Sequence, residues 1–211
     1  MKVRGRIVLM LMGMAAGATE APAGMARIPP GELRVTEGKL LPGPDGAIRI
    51  VAPKVRAVAR SASGATAALR IVYLGPSPEQ KPLQSGEMRE QVGLKLNAED
   101  GCNVLYAMWR IAPKPGVVVS LKRNPGQHSS GDCGNSGYTN LRPRRGSPAP
   151  PLQRGVPHLL RSEQRGEELR VFVDDAVVWD GPLPPEALSL HGPIGFRTDN
   201  GSFDLELFAP L

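Results

Sequence analysis

Aromatic residues, cysteines and long apolar runs are scarce in this sequence. Only 4% of the 211 residues are aromatic, so a surface that binds by ring stacking has few residues to draw on. After the N-terminal segment no apolar stretch reaches the roughly 20 residues of a transmembrane helix, so we expect no membrane span. The sequence also lacks a P-loop, a GxGxxG ahead of a helix, an HExxH and a GxSxG. It therefore offers no support for the enzyme classes that depend on those motifs.

Helical periodicity is nearly absent as well, and apolar residues occur in short β-branched runs. The 22 prolines and 25 glycines suit a protein of short strands and many turns. The predicted strands are Leu33–Thr36, Ala47–Ala52, Val55–Ala59, Ala65–Leu74, Arg89–Asn97, Cys102–Ile111, Gly116–Arg123, Leu159–Glu163, Glu168–Val173, Ala176–Trp179 and Phe203–Phe208. This pattern predicts an all-β fold, an antiparallel jelly-roll sandwich, with a single helical turn near Pro185–Ser189.

Two segments near the C-terminus show the strand pattern most clearly. Asp174 and Asp175 stand between two apolar runs, and aspartate tolerates the positive φ of a two-residue hairpin turn. In Phe203–Phe208 the apolar residues alternate with Asp204 and Glu206. We therefore predict a hairpin at the first segment and, at the second, a strand with one face packed and one face in water.

The N-terminus has the pattern of a secretory signal peptide. Lys2, Arg4 and Arg6 precede an apolar run over residues 7–18, and small residues that suit cleavage follow. We predict that residues 1–23 are removed and that the protein is secreted or periplasmic. The alternative is an uncleaved anchor.

The rest of the chain is predicted to be one domain. Residues 24–30 form a short N-terminal linker in this interpretation, and residues 31–211 form the β-sandwich. The segment 142–157 contains five prolines and four arginines, which predicts an extended basic loop within the domain.

The charge balance is basic. The net charge is +6 and falls to +4 without the predicted signal peptide, because three positive charges and one negative charge leave with it. The pI near 9.7 permits weak attraction to an anionic polymer. No nucleic-acid-binding motif accompanies it, so we predict a basic surface and no nucleic acid partner.

The two cysteines form an even pair in a chain predicted to be exported. Cys102 and Cys133 are therefore expected to form a disulfide. The alternative is a zinc site completed by His128. Two thiols and one histidine without CxxC or HxxxH spacing make a poor tetrahedral site, so no metal is predicted there.

Four segments of the C-terminal third resemble a known superfamily. They are His158–Glu163, Gly166–Asp175, Val177–Gly181 and Gly192–Asn200. These segments are similar to the concanavalin A-like lectin/glucanase superfamily, and within it to laminin-G-like and 3-keto-disaccharide-hydrolase-like sandwiches. In that group a VxVDG hairpin is followed by GPIGFR and a last strand, whereas this chain has Asp175 at the usual glycine. The resemblance covers residues 158–208 and implies a concanavalin A-like jelly roll, a fold that hosts lectins, glycosidases, lyases and structural modules.

A candidate binding site lies where aromatic and planar polar residues concentrate. Sugar sites combine an aromatic ring with groups that hydrogen-bond hydroxyls, and a disulfide at Cys102 would tie the polar loop 124–140 towards its strand. The candidate ligand-binding residues are Trp109, Arg110, Lys122, Arg123, Asn124, His128, Tyr138 and Asn140. The alternative for Trp109 is a place in the core, because Leu105 and Ala107 on the same strand face are apolar.

Candidate catalytic residues are fewer. Asp204 and Glu206 share a strand face with Cα atoms about 6–7 Å apart, a spacing that a glycosidase pair could have, but a solvated strand face is the favoured interpretation. The carboxylate string Glu-x-Asp-x-x-Glu of the superfamily's glucanases is absent, so the catalytic residues remain unassigned.

The sequence therefore predicts an exported, lectin-like module that binds a carbohydrate or a similar polymer, with no cofactor other than optional calcium. One alternative is a sugar-active hydrolase or lyase of the same fold. The second is a structural or interaction module of the cell envelope.

Overall fold

Alternating apolar residues pack two antiparallel β-sheets face to face. The computed structural model describes residues 21–211, so the predicted signal peptide lies almost wholly outside the described residues. The core between the sheets holds large, fully buried side chains such as Phe196, Phe203, Leu94 and Leu160. The predicted all-β sandwich is confirmed.

The strands within residues 21–211 are short and joined by turns. They are β1 Met25–Arg27, β2 Leu33–Glu37, β3 Leu41–Pro42, β4 Ile48–Ile50, β5 Lys54–Ser63, β6 Ala67–Pro76, β7 Glu90–Leu96, β8 Val104–Ala112, β9 Gly116–Lys122, β10 Tyr138–Asn140, β11 Pro157–Arg165, β12 Glu168–Val173, β13 Ala176–Pro182, β14 Pro193–Asp199 and β15 Gly201–Pro210. Single helical turns occur at α1 Ser130–Cys133 and α2 Pro185–Leu188, the second where the sequence predicted one.

The strand order mixes distant parts of the chain in both sheets. Sheet A has the order β13-β12-β11-β6-β15-β4-β3, with β1 added along β15. Sheet B has the order β10-β9-β8-β7-β14-β5-β2. Every pairing is antiparallel, and the two halves of the chain contribute strands to both sheets, as expected for a jelly roll.

The predicted hairpin between β12 and β13 is confirmed. Asp174 and Asp175 have φ of 48° and 68°, the left-handed pair that a two-residue turn requires. The Asp174 carboxylate accepts a hydrogen bond from the Leu159 amide at 2.8 Å and lies 2.6 Å from His158 Nδ1. The turn is therefore fastened to the neighbouring strand β11.

Strand β14 lies inside sheet B between β7 and β5, although the sequence pattern did not predict a strand there. Proline and glycine in Gly-Pro-Ile-Gly are weak strand formers. At Gly195 an added Cβ would lie 2.1 Å from the carbonyl oxygen of Ala57 on β5. Glycine is needed at this point because the two backbones approach too closely for any side chain.

Two other segments were interpreted from the sequence as a linker and a loop. Residues 24–30, expected to be a linker, contain β1, whose Arg27 is ion-paired with Glu206 at 2.9 Å, so this segment extends sheet A. The segment 142–157 is irregular and largely exposed, and the amides of Arg144 and Arg145 donate to the Asp180 carbonyl on β13. The segment thus packs along the edge of sheet A, where Leu152 is buried.

Candidate functional site

A cleft covers the outer face of sheet B, on the side away from the core. Its cavity has a volume of about 750 Å³. The floor consists of side chains from β5, β7, β8, β9 and β14, and the segments 83–87, 98–101 and 128–135 form the walls. We call this cavity the sheet B cleft. The floor residues are Arg56, Val58, Gln91, Lys95, Tyr106, Met108, Arg110, Val118, Ser120, Lys122 and Arg197.

The predicted disulfide is present and holds one wall in place. Cys102 and Cys133 are bonded, with Cα atoms 5.9 Å apart. On the same wall the Lys122 ammonium donates to the carbonyls of Gly101 and Gly134 at 3.2 and 2.9 Å. Burial lowers the pKa of Lys122. The bond and this lysine therefore join the loop before β8 to the loop after β9.

Asp100 organises the same wall through hydrogen bonds. Its carboxylate accepts from the amides of Cys102 and Asn103 at 2.7 and 2.8 Å, and lies 2.8 Å from His128 Nδ1. Burial acts to raise the Asp100 pKa, but these hydrogen bonds outweigh burial and lower it. Asp100 is thus a fixed anion that serves the loop.

Two tyrosines and an arginine form the aromatic part of the cleft. The rings of Tyr106 and Tyr138 stack with centroids 6.2 Å apart and planes inclined by 23°. Arg197 lies 5.4 Å above the Tyr106 ring and donates to the Tyr138 hydroxyl at 3.3 Å. Tyr106 is buried, which raises its pKa to about 12, whereas Tyr138 is 39% exposed. Tyr138 is therefore the aromatic ring that this cluster presents to a ligand.

Arg197 is held in place by an ion pair with Asp199 on the same strand. It is buried, and its guanidinium donates to the Asp199 carboxylate at 2.7 Å. Burial acts to lower the Arg197 pKa, but Asp199 and the two tyrosines raise it well above its usual value. The Asp199 carboxylate also accepts from Gln91 Nε2 at 2.6 Å. The planar groups of Arg197 and Gln91 are thus pre-organised at the floor.

Lys95 lies at the centre of the floor. It stands opposite Tyr106 on β8 and Gly195 on β14, and only 3% of its surface is exposed. Burial, followed by repulsion from Arg56 and Arg197, lowers the Lys95 pKa to about 8. Two other cations of the cleft have acidic partners: Arg56 is ion-paired with Glu37, and Arg89 with Glu87.

The sequence-based site residues separate into three groups, the third of which is Trp109 alone. Those that line the cleft are Arg110, Lys122, His128, Tyr138 and Asn140. Arg123 and Asn124 do not line it; both donate to the Asn103 side-chain oxygen, at 3.1 and 3.0 Å, and so support the wall from behind. The polar loop thus brings His128 and Tyr138 to the cleft, while the contacts of Arg123 and Asn124 hold the loop together.

Trp109, a candidate for stacking against a sugar ring, does not line the cleft. It is 1% exposed and belongs to the core between the sheets, with its ring edge-on to His158 at 5.4 Å. The strand alternation explains this place, because Leu105 and Ala107 lie on the same inward face. The alternative given for Trp109, a place in the core, is therefore correct.

Asp204 and Glu206 lie on the outer face of sheet A, away from the sheet B cleft. Arg49 donates to both oxygens of Asp204 at 2.8 Å. Glu206 is ion-paired with Arg27 at 2.9 Å and with Arg70 at 2.5 Å. Each carboxylate is thus buried beneath an arginine that neutralises its charge. The two residues therefore do not form a catalytic pair in a cleft, and they are not freely exposed to solvent either.

The sequence interpretation missed the cationic floor. Arg56, Lys95, Tyr106 and Arg197 were not among its candidates. A signal was present in Arg89–Asn97, where Lys95 alternates with apolar residues and so points away from the core. Nothing in the strand itself indicates that this outer face is covered by loops.

Two searches of the described chain were negative. Residues 21–211 contain no cluster of three or more His, Cys, Asp or Glu side chains arranged to hold a metal ion. Within the same residues, no helix has the length and apolar character needed to cross a membrane.

The fold of this chain is similar to the folds of solved protein structures. The carbohydrate-binding module CBM66 from Bacillus subtilis aligns with a TM-score of 0.57 and 14% identity, over 85% of this chain and 92% of that one. The fold is the concanavalin A-like jelly roll. The superfamily resemblance of the C-terminal third is thereby confirmed as a resemblance of fold.

The same jelly roll is found in binding proteins and in enzymes. The metal-free carbohydrate recognition domain of Emp46p aligns with a TM-score of 0.52 and 12% identity, over 86% of this chain and 89% of that one. The apo Crh5 transglycosylase aligns with a TM-score of 0.50 and 12% identity, over 89% and 85%. A scan with protein-family models and a search of curated protein sequences gave no match.

Proposed function

We propose that this protein is an exported carbohydrate-binding module that holds its ligand in the sheet B cleft. The observation that carries the proposal is the arrangement of Tyr138 beside Arg197 and Gln91. An exposed ring next to fixed planar hydrogen-bonding groups suits a sugar, whose ring has an apolar face and an edge of hydroxyls. The carbohydrate-binding proteins among the structural neighbours support the same class of ligand.

Export is part of the proposal. A disulfide persists in oxidising compartments, and the Cys102–Cys133 bond fastens the wall of the cleft. The predicted signal peptide over residues 1–23 supports the same location, secreted or periplasmic. Fractionation of the cells that produce the full chain, with N-terminal sequencing of the mature protein, tests this part.

Glycan-array screening followed by calorimetry tests the binding site. The Tyr138→Ala variant removes the exposed ring and should weaken saccharide binding roughly twofold to tenfold, since an aromatic contact contributes about 0.5–1.5 kcal/mol beyond its buried area. Phe172→Ala is the matched control, because this ring lies on sheet A with Arg161 4.0 Å above it. Each titration is run with and without calcium. Absence of saccharide binding under both conditions would sink the proposal.

A lyase acting on an acidic sugar is the second candidate. The observation in its favour is that Lys95, Tyr106 and Arg197 converge in one cleft, with the Lys95 pKa near 8. In β-elimination a neutral amine takes the proton next to the carboxyl group, a C=C bond forms, and the leaving oxygen departs with a proton from a tyrosine or water. A hydrolase has less support, because Glu37 and Glu87 in the cleft are each ion-paired with arginine.

Ultraviolet absorbance of an unsaturated product distinguishes the lyase from the binding module. Incubation with oligogalacturonate should give a signal that rises with pH through about 8 if Lys95 is the base. A flat trace with tight binding supports the module alone.

A further inference from the structure

Lys95 is a buried cation without a partner. Among the side chains and backbone groups of the described chain, none forms a hydrogen bond or ion pair with its ammonium group. The residue lines the cleft floor although only 3% of its surface is exposed. Burial of an uncompensated charge is unfavourable, so natural proteins pair such groups or use them. The Lys95 ammonium keeps some surface in the cleft, so its partner there is either solvent or a group of a ligand.

The surroundings of Lys95 are positively charged on most sides. Arg56 on β5, Arg197 on β14 and Arg34 on β2 all act on it with like charge. Asp100, in the loop after β7, acts with opposite charge, but its oxygens already accept hydrogen bonds from the loop. The facing residue on β8 is a tyrosine whose raised pKa keeps it neutral. A negatively charged group is the one that this position favours.

Other polar atoms beneath the cleft also favour an acceptor. The Nε atoms of Arg56, Arg89 and Arg110 are buried and lack hydrogen-bond acceptors within the described part of the chain. The buried acceptor left unpaired in the same region is Oε1 of Gln91. Unpaired donors thus outnumber unpaired acceptors on this face. Because these atoms have almost no accessible surface, they would act on a ligand through the positive field of their guanidinium groups rather than through hydrogen bonds.

We propose that the sheet B cleft recognises an acidic saccharide and that Lys95 binds its anionic group, a carboxylate or a sulfate ester. This inference rests on the proposed carbohydrate-binding function. Tyr138 receives the sugar ring, while Lys95, flanked by Arg56 and Arg197, receives the charge. One buried ammonium on a floor where Arg56 and Arg197 are already ion-paired suits one anionic group per bound sugar unit rather than a continuous polyphosphate backbone.

The test compares ligand pairs that differ in charge alone. Calorimetry with the folded protein uses oligogalacturonate against its methyl ester, and sulfated dextran oligosaccharide against dextran. One charge-assisted hydrogen bond in a buried site corresponds to roughly a tenfold to hundredfold change in affinity. We expect a preference of this size for the acidic member of one pair, and the pair that shows it distinguishes carboxylate from sulfate.

Variants assign the preference to one residue. Lys95→Met should remove it, whereas Lys114→Met, which deletes an exposed lysine in the β8–β9 turn, should leave it unchanged. Lys95→Gln serves as a second uncharged variant of similar length if the methionine variant does not fold. The affinity of the wild type for the acidic ligand should also fall as the pH rises through about 8, because the neutral amine no longer attracts an anion.

The outcomes separate this inference from the proposed function. Equal binding of acidic and neutral members refutes the anionic specificity and leaves saccharide binding intact. A preference that survives in both Lys95 variants refutes the role of Lys95. Polyglutamate that competes as well as oligogalacturonate shows a general polyanion surface and also overturns the inference. If none of the saccharides binds, both this inference and the proposed function fail.

Discussion

Replacement of Lys95 by methionine should stabilise the folded protein near neutral pH. The Lys95 pKa is about 8 in the folded state, against 10.5 for an unperturbed lysine. Because the folded state binds this proton less tightly than the unfolded chain, the charged lysine opposes folding at every pH below 8. The difference of 2.5 pKa units corresponds to about 3 kcal/mol. The penalty disappears as the pH rises from 8 towards 10.5, where the lysine is neutral in both states.

Urea denaturation of the wild type, Lys95→Met and Lys114→Met at a series of pH values measures this effect. Methionine is about as long as lysine and buries no charge, so the variant should gain on the order of 2–3 kcal/mol at pH 7. The gain should shrink towards zero near pH 10, and the Lys114 control should show neither change. A Lys95→Met variant that is less stable than the wild type at pH 7, or a gain that does not depend on pH, would refute the reasoning.

The remaining predictions concern the scaffold. Gly195→Ala should destabilise the protein by roughly 1–3 kcal/mol or prevent folding, because the added Cβ would clash with a backbone carbonyl of β5. In the control Gly31→Ala the added Cβ meets no neighbouring atom, so thermal denaturation should show no change. Reduction of Cys102–Cys133, whose sequence separation is 31, should cost roughly 3–4 kcal/mol in chemical denaturation. Two free thiols in the purified protein would contradict this. Trp109→Phe should lower stability by roughly 1–3 kcal/mol through a core cavity and leave saccharide affinity unchanged, which calorimetry checks.

The strands and one turn could be predicted from local patterns. Alternation in Phe203–Phe208 and the acidic pair Asp174–Asp175 are local signals, because a pleated strand has a period of two and a two-residue turn needs positive φ. Strand β14 has no such signal, since Gly195 is required by a neighbouring backbone that is distant in sequence. Strand β10 is only three residues long and forms because the disulfide loop returns it to the edge of β9.

The site could be predicted only in part for a related reason. Tyr138 and His128 belong to a polar loop whose composition identifies it, and both line the cleft. Lys95 and Arg197 stand in strands, where a polar residue on the outer face is ordinarily a solvated surface group. Their burial comes from loops contributed by other parts of the chain, so it depends on tertiary structure that no short window of sequence records.

The stability cost at Lys95 and the proposed binding role share part of their physical origin. Burial is the largest cause of the lowered Lys95 pKa, and the like charges of Arg56 and Arg197, which add to it, also create the field that favours an anion. A bound carboxylate or sulfate would raise the Lys95 pKa again, so ligand binding and proton binding must strengthen each other by equal amounts. A lysine that served the scaffold alone would have an acceptor of its own, as Lys122 has in the carbonyls of Gly101 and Gly134. The contrast between these two lysines on one sheet face is the reason to place recognition at Lys95 and support at Lys122.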